Sequence, residues 1–72
     1  MATYNAYVHR TISGRLRQIH LGSVEENNER AARCAALSKF GASDEEYYAA
    51  VEAGDAVPKC ITLADDFSVS PV

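Results

Sequence analysis

Acidic residues are missing from the first 22 positions of this 72-residue chain, although the whole sequence carries ten acids against seven lysines and arginines. The basic residues of that stretch are Arg10, Arg15 and Arg17, accompanied by His9 and His20. The formal net charge is −3, so the remainder of the chain is acidic. Charge separated in this way bears on binding rather than on fold, because one end suits an anion and the other a basic surface.

Long apolar runs are also missing, and none approaches the roughly 20 residues that a membrane-spanning helix needs. The N-terminal sequence MATYN has neither the basic start nor the apolar stretch of a secretory signal peptide. We therefore expect a cytoplasmic protein. Hydrophobic residues make up 47% of the chain and charged residues 24%, which is typical of a globular protein. The length predicts one small domain over residues 1–72, with the last few residues loosely held.

Cysteine is scarce, and the two present, Cys34 and Cys60, lie far apart in the sequence. A structural disulfide is unusual in the cytoplasm, and the spacing of these cysteines with His9 and His20 matches no familiar zinc site. We expect two buried free thiols, no metal and no cofactor. A catalytic nucleophile needs an adjacent base, and only Cys34 with a histidine could supply the pair. All four glycines are isolated, so no phosphate-binding loop is present, and we expect no enzymatic activity.

Residues 3–10 and 15–21 are rich in β-forming side chains and alternate along the chain, with a turn sequence at Ser13-Gly14 between them. This pattern predicts a β-hairpin. Alternate residues give the first strand an apolar face made of Tyr4, Ala6 and Val8. Neither face of the second strand is cleanly apolar, and we expect Ile19 and Leu21 to face the core. The arginines near the turn would then project beyond the edge of the core.

A capping box at Ser23–Glu26 predicts a helix over about residues 24–40, since the serine hydroxyl can accept from an amide of the first turn. Gly41 is a natural residue to end it. A stripe of mostly small residues runs along this helix: Val24, Ala31, Cys34, Ala35 and Ser38. The stripe either packs closely on a sheet or forms an alanine-rich seam for a second subunit.

A second capping box begins at Ser43 and predicts a shorter helix over about residues 44–53, ended by Gly54. Tyr47 and Tyr48 are adjacent and therefore lie about 100° apart around the helix. We expect Tyr47 to join the core edge with Ala50 and Val51, and Tyr48 to lie on the surface.

The segment 59–64 (KCITLA) predicts a third strand, and Asp65-Asp66 a turn. Phe67 and Val69 could add a short edge strand before Pro71. The element order is therefore ββααβ, with a further short strand at the end. It predicts an α+β domain in which a small antiparallel sheet carries the helices on one face.

Two surfaces are candidate binding sites. The first is an acidic, partner-binding face on the second helix, made of Asp44, Glu45, Glu46, Tyr48 and Glu52. The second is an anion-facing hairpin made of His9, Arg10, Arg15 and Arg17. Each also has a simpler explanation, because acids favour a helix N-terminus and arginines on a hairpin deter unwanted edge pairing.

A hairpin with the turn Ser13-Gly14-Arg15 is followed by a capped, alanine-rich helix ending in Lys39-Phe40-Gly41 and by a closing strand. In size, acidity and layout this chain resembles small phage-encoded anti-CRISPR proteins. The resemblance implies a stoichiometric inhibitor that docks on a nucleic-acid-handling complex, such as a subunit of a CRISPR effector, in the host cytoplasm. It is a resemblance of architecture, and no motif carries a functional residue across.

These observations favour a non-enzymatic inhibitor or adaptor of phage or mobile-element origin that binds a larger protein complex. The first alternative is a nucleic-acid-binding accessory protein that uses the basic hairpin. The second is a structural or assembly subunit, a homodimer rather than a monomer, that pairs through the alanine-rich seam or an exposed strand edge.

Overall fold

The computed structural model describes residues 1–72 and contains three strands and two helices. In chain order these are β1 (Ala2–Ile12), β2 (Arg15–Glu26), α1 (Glu29–Phe40), α2 (Asp44–Glu52) and β3 (Asp66–Pro71). The strands form one antiparallel sheet in the order β2-β1-β3. The predicted α+β architecture is confirmed, and β1 is the central strand.

The N-terminal hairpin is confirmed, and its turn lies at the predicted Ser13-Gly14. Both turn residues have positive φ, 52° and 78°, as a two-residue hairpin turn that matches the twist of its strands requires. Ile12 is paired with Arg15 across the turn. Both strands are longer than the sequence predicts, since β1 covers Ala2–Ile12 and β2 continues through Glu26.

The core lies between one face of the sheet and α1. From the sheet it takes Tyr4, Ala6, Val24 and Val69, and from the helix Ala32 and Ala36. The predicted inward face of β1 is confirmed, because its three apolar residues are all buried. Leu21 packs against this cluster, and Ile19 is half-buried opposite Val8, as expected for the second strand.

The predicted start of the first helix is wrong. Ser23 lies in β2 opposite Asn5, and α1 begins only at Glu29. Asn28 is the N-cap, and its Oδ1 accepts a hydrogen bond of 2.8 Å from the Ala31 backbone amide. A cap is worth about 1 kcal/mol, whereas the strand gains backbone pairing along its length together with the burial of Val24 opposite Tyr4.

The buried face of the helix also differs from the predicted stripe. Ala32 and Ala36 are fully buried, whereas Cys34, expected on the buried stripe, is exposed. Ala35 packs only at the margin of the core. The small residues therefore allow α1 to lie close to the sheet, and the fully buried ones are no longer available as a seam between subunits.

We expect the substitution Asn28→Ala to destabilise the protein by about 1 kcal/mol, because it removes the N-cap of α1. Ser23→Ala is the matched control, since Ser23 lies in a strand and caps nothing; its effect should stay within about 0.5 kcal/mol. Urea denaturation followed by circular dichroism measures both. A larger loss for Ser23→Ala would contradict the observed helix start.

Gly22 allows the end of α1 to approach β2. A bulge next to it leaves Leu21 without a partner in β1, because Ala6 pairs with Gly22 and Tyr7 with His20. The φ of Gly22 is 153°, and a Cβ added there would lie 2.8 Å from Cζ of Phe40. A side chain at this position would therefore push the Phe40 ring away from the core.

The predicted strand at 59–64 is wrong, and this segment is a loop. Only Ile61 makes a strand-like bridge, to Gly41: its amide donates to the Phe40 carbonyl, and its carbonyl accepts from Ala42, each at 2.9 Å. Extended pairing stops there because the Thr62 carbonyl accepts from the Asp65 amide at 3.1 Å and closes a turn.

The last strand is the short edge strand predicted around Phe67 and Val69, and it is confirmed as β3. It pairs antiparallel with β1, with Phe67 opposite Val8 and Val69 opposite Ala6. Beyond the strand, the Val72 amide donates to the Thr3 carbonyl at 2.9 Å. The end of the chain is thus held against β1.

The second helix is confirmed, with the predicted cap. The Ser43 hydroxyl accepts from the Glu46 amide at 3.2 Å. None of the nine residues of α2 is buried. The helix contacts the sheet on the face that carries α1, through Tyr47, whose ring lies 5.0 Å from the Arg10 guanidinium carbon.

Candidate functional site

The predicted acidic face lies on the solvent-facing surface of α2. All of its members are exposed: Asp44, Glu45, Glu46, Tyr48 and Glu52. Its acids have no salt-bridge partner, because the one ion pair of the structure joins Arg10 to Asp65. The structure therefore brings the predicted residues of this face together on one exposed helix with their charges unneutralised.

The sequence around α2 concentrates this charge further. Between Lys39 and Lys59 there are five acids and no lysine or arginine. The fifth acid, Asp55, follows the helix, and its carboxylate accepts from the Val57 amide at 3.1 Å. Unpaired carboxylates on one short element produce a field that reaches about 8 Å at physiological ionic strength.

Two tyrosines give this face an aromatic part. Tyr48 is 64% exposed, as the sequence predicts, and Tyr47 is half-buried. Their rings meet edge to face, with centroids 5.6 Å apart, a favoured arrangement for aromatic pairs. The Arg10 guanidinium packs against the Tyr47 ring. The exposed Tyr48 ring therefore contacts a neighbour that is itself held in place by packing.

Arg10 belongs to an internal network that fixes the 58–65 loop. Its guanidinium donates to the Asp65 carboxylate at 2.9 and 3.4 Å, and to the carbonyls of Pro58 at 2.8 Å and Cys60 at 3.0 Å. The Asp65 carboxylate also accepts from the amide and the hydroxyl of Thr62, at 3.1 and 3.0 Å. The side chains of Arg10 and Asp65 are only 10% and 12% exposed.

The network shifts the pKa of both ionised partners. Burial alone would raise the pKa of Asp65, but the hydrogen bonds from Arg10 and Thr62, with the arginine charge, bring it below its ordinary value. The hydrogen bond to Asp65 raises the pKa of Arg10 despite its own burial. Both groups are therefore charged at neutral pH.

The four residues of the predicted anion-facing hairpin do not form one surface in the structure. Arg15 and Arg17 are exposed near the turn, with Leu16 between them 73% exposed. Arg10 is committed to the 58–65 loop, and Nε2 of His9 makes a 2.8 Å hydrogen bond with the Ser68 hydroxyl of β3. Of the four residues, only the two at the hairpin tip are free to meet an anion.

The sheet face opposite the helices is polar and uncovered. Tyr7 and His20 are paired across β1 and β2, with ring centroids 5.3 Å apart. His20 also makes a 3.2 Å hydrogen bond with the Asn5 side chain. These contacts join side chains of β1 and β2 within this face.

The cysteines are both free, but the prediction that both are buried is wrong for Cys34, which is exposed, while Cys60 is half-buried. Cys34 is two residues from each of the fully buried Ala32 and Ala36, which places it about 200° around the helix from them. No three histidine, cysteine or acidic side chains come together as metal ligands. No helix is long and apolar enough to cross a membrane.

Sequence reasoning missed the Arg10–Asp65 pair because its members are 55 residues apart. The spacing of Thr62 and Asp65, three residues apart, could have indicated the turn that presents the carboxylate. The acidic face, by contrast, is local in sequence and lies where expected. Comparison with protein-family models, curated proteins and solved structures finds no match for this chain.

Proposed function

We propose that this protein is a non-enzymatic binding protein that docks α2 on a basic surface of a larger nucleic-acid-handling complex, as an inhibitor or adaptor. The observation that carries the proposal is the helix itself, which buries none of its own residues and exposes four unpaired acids beside Tyr48. An amphipathic helix normally owes its stability to a buried face. Here the partner supplies that surface.

The chemistry of the face indicates what kind of partner it fits. Carboxylates spaced along one helix present negative charge where a nucleic-acid backbone would present phosphates, and surfaces that bind nucleic acid are rich in lysine and arginine. Tyr48 adds apolar area with a polar tip, the combination found at binding hot spots. Such a face competes with nucleic acid for a basic channel, which supports inhibition by occupancy.

The biological setting belongs to the same proposal. The small acidic α+β build resembles anti-CRISPR proteins, so we place this chain in a host cytoplasm, encoded by a phage or mobile element. The basic hairpin is the weaker contact for nucleic acid. Only Arg15 and Arg17 remain free there, and few phosphate contacts give low affinity at physiological salt.

A tagged pull-down from host lysate, with and without nuclease, tests the proposal. We expect a stoichiometric protein partner that survives nuclease. The double variant Glu45→Lys/Glu46→Lys should weaken binding to that partner at least about 30-fold, because like charges brought together at an interface cost several kcal/mol. Calorimetry or surface plasmon resonance with the purified partner measures the change.

The matched control is Glu29→Lys/Asp66→Lys, which changes the net charge equally at exposed positions outside α2. Its affinity should stay within about threefold of the unsubstituted protein. If both double variants weakened binding equally, the binding would depend on the net charge of the protein and not on a specific face, which would contradict the proposal. Recovery that collapses with nuclease would instead assign function to the basic hairpin.

A further inference from the structure

The outer edge of β2 has no partner in the sheet. β1 is the central strand, so β2 is paired along one side only over its 12 residues. The pairing of β1 shows which backbone groups of β2 point outward. The Thr3 carbonyl accepts from the Val72 amide on the β3 side. Because successive residues of a strand direct their backbone groups to opposite sides, Tyr4 and every second residue after it in β1 form hydrogen bonds with β2. The β2 residues whose backbone groups point outward are therefore Leu16, Gln18, His20, Ser23 and Glu25. Exposed edges of this length invite pairing with another strand.

The charge of this edge is opposite at its two ends. Arg15 and Arg17 lie at the beginning of β2, and Glu25 and Glu26 at its end. Antiparallel pairing of β2 with a second copy places the basic end of each strand beside the acidic end of the other. Parallel pairing would juxtapose like charges, so the sequence of the strand favours the antiparallel arrangement.

The bulge at Leu21 makes full overlap of the two β2 strands, with Arg15 opposite Glu26, compatible with hydrogen-bonded pairing. In a regular strand, the residues whose backbone groups point outward are either all even-numbered or all odd-numbered. The extra residue of the bulge changes this, so that they are even-numbered before the bulge in β2 and odd-numbered after it. Leu16 then lies opposite Glu25 of the second copy, and Gln18 opposite Ser23, as hydrogen-bonded pairs. The same register places Arg15 opposite Glu26 on the face that carries the helices.

A groove beside this edge has room for a side chain of the added strand. It has a volume of about 580 Å³ and is lined by Ser23, Val24, Glu25, Ala35, Ser38 and Lys39. The residue opposite Val24 in the paired register is Arg17 of the second copy, on the helix side of the sheet. The short side chains of Ala35 and Ser38 leave space for it next to α1.

One existing contact must change. Nζ of Lys39 donates to the Ser23 carbonyl at 3.0 Å, which agrees with that carbonyl pointing outward. In the paired strands, the backbone amide of Gln18 of the second copy donates to the Ser23 carbonyl instead, and the Lys39 ammonium is solvated by water. A lysine on an exposed edge carbonyl is a contact that solvent can readily replace.

From these observations we infer that the protein forms a twofold-symmetric homodimer through antiparallel pairing of β2 with β2 of a second copy. The result is a continuous six-stranded sheet in the order β3-β1-β2-β2-β1-β3. One Arg17 side chain lies in each of the two grooves beside α1. This interface uses no residue of the acidic face on α2, so it goes beyond the proposed function and does not depend on it.

Sedimentation equilibrium of the full chain from roughly 1 μM to 1 mM tests the dimer. The variant Arg15→Glu/Arg17→Glu makes both ends of β2 acidic, and Glu25→Arg/Glu26→Arg makes both ends basic. We expect each variant alone to raise the dimer dissociation constant at least about 100-fold, because like charges then face each other. An equimolar mixture of the two variants should dimerise again, since each acidic end meets a basic one.

The matched control is Arg30→Glu/Lys59→Glu, which reverses two exposed charges outside β2 and should leave the dissociation constant within about threefold. Circular dichroism confirms that every variant folds. An unsubstituted protein that is monomeric at 1 mM would overturn the proposal, whatever else binds the edge. So would a dimer that survives both reversals, or a mixture of variants that stays monomeric.

Discussion

Replacing Arg10 by methionine is expected to lower the free energy of unfolding by about 2–4 kcal/mol. Methionine has an apolar side chain whose length is similar to that of the arginine stem. The substitution removes the hydrogen bonds to Asp65, Pro58 and Cys60. It leaves the Asp65 carboxylate, whose side chain is 12% exposed, without its countercharge. Denaturant titration measures the change.

The matched control is Arg17→Met, at the position directly opposite Arg10 in the hairpin. Arg17 is exposed near the turn, so its replacement should change the stability of the monomer, measured below the dimer dissociation constant, by no more than about 0.5 kcal/mol. The double variant Arg10→Met/Asp65→Leu should recover part of the loss, because it no longer leaves a carboxylate without its countercharge. Equal effects of Arg10→Met and Arg17→Met would show that the internal network contributes nothing.

The same pair gives stability a pH dependence of known sign. The folded-state pKa of Asp65 is lowered, so its contribution is fully present above the unfolded-state value of about 3.9 and is lost as pH falls through the lower folded-state value. Arg10→Met removes the arginine's hydrogen bonds and charge, so the acid-side loss should become smaller. Urea midpoints at neutral pH and below about pH 4 measure the difference.

Replacing Ala36 by leucine is expected to cost about 3 kcal/mol, near the whole stability of a domain of this size. Ala36 is fully buried in the cluster between α1 and the sheet. A branched side chain there must push the helix away from β1 and β2, and Ala32, one turn earlier and equally buried, would move with it.

Ala49→Leu on α2 is the matched control, since Ala49 is exposed and the added side chain meets solvent. Its effect should stay within about 0.5 kcal/mol. Thermal unfolding followed by circular dichroism compares the two variants. If Ala36→Leu unfolds at the temperature of the unsubstituted protein, α1 does not lie as close to the sheet as the structure has it.

Local features of the sequence were sufficient for several parts of the fold. The turn at Ser13-Gly14, the alternation of β1 and the cap at Ser43 are decided by residues close together in the chain, and all three are confirmed. The acidic face on α2 is equally local, because a short helix with acids at most of its polar positions must expose them. No long-range contact was needed to locate these features.

Where two local preferences competed, only the tertiary structure decided. Ser23–Glu26 can cap a helix or extend a strand, and burial of Val24 opposite Tyr4 selects the strand. That choice moved the start of α1 to Glu29. Segment 59–64 has strand propensity, but the turn closed by Asp65 leaves it a loop, and β1 accepts β3 instead.

The sequence by itself thus determined the hairpin, the second helix, the α+β class and the charged surface of α2, because each depends on neighbouring residues. The tertiary structure decided what Arg10 does: one of three N-terminal arginines in the sequence, it becomes the partner of Asp65, 55 residues away. Charge alone cannot distinguish it from Arg15 and Arg17. The distinction arises because Arg10 lies under the 58–65 loop, whereas the other two lie near the exposed hairpin tip.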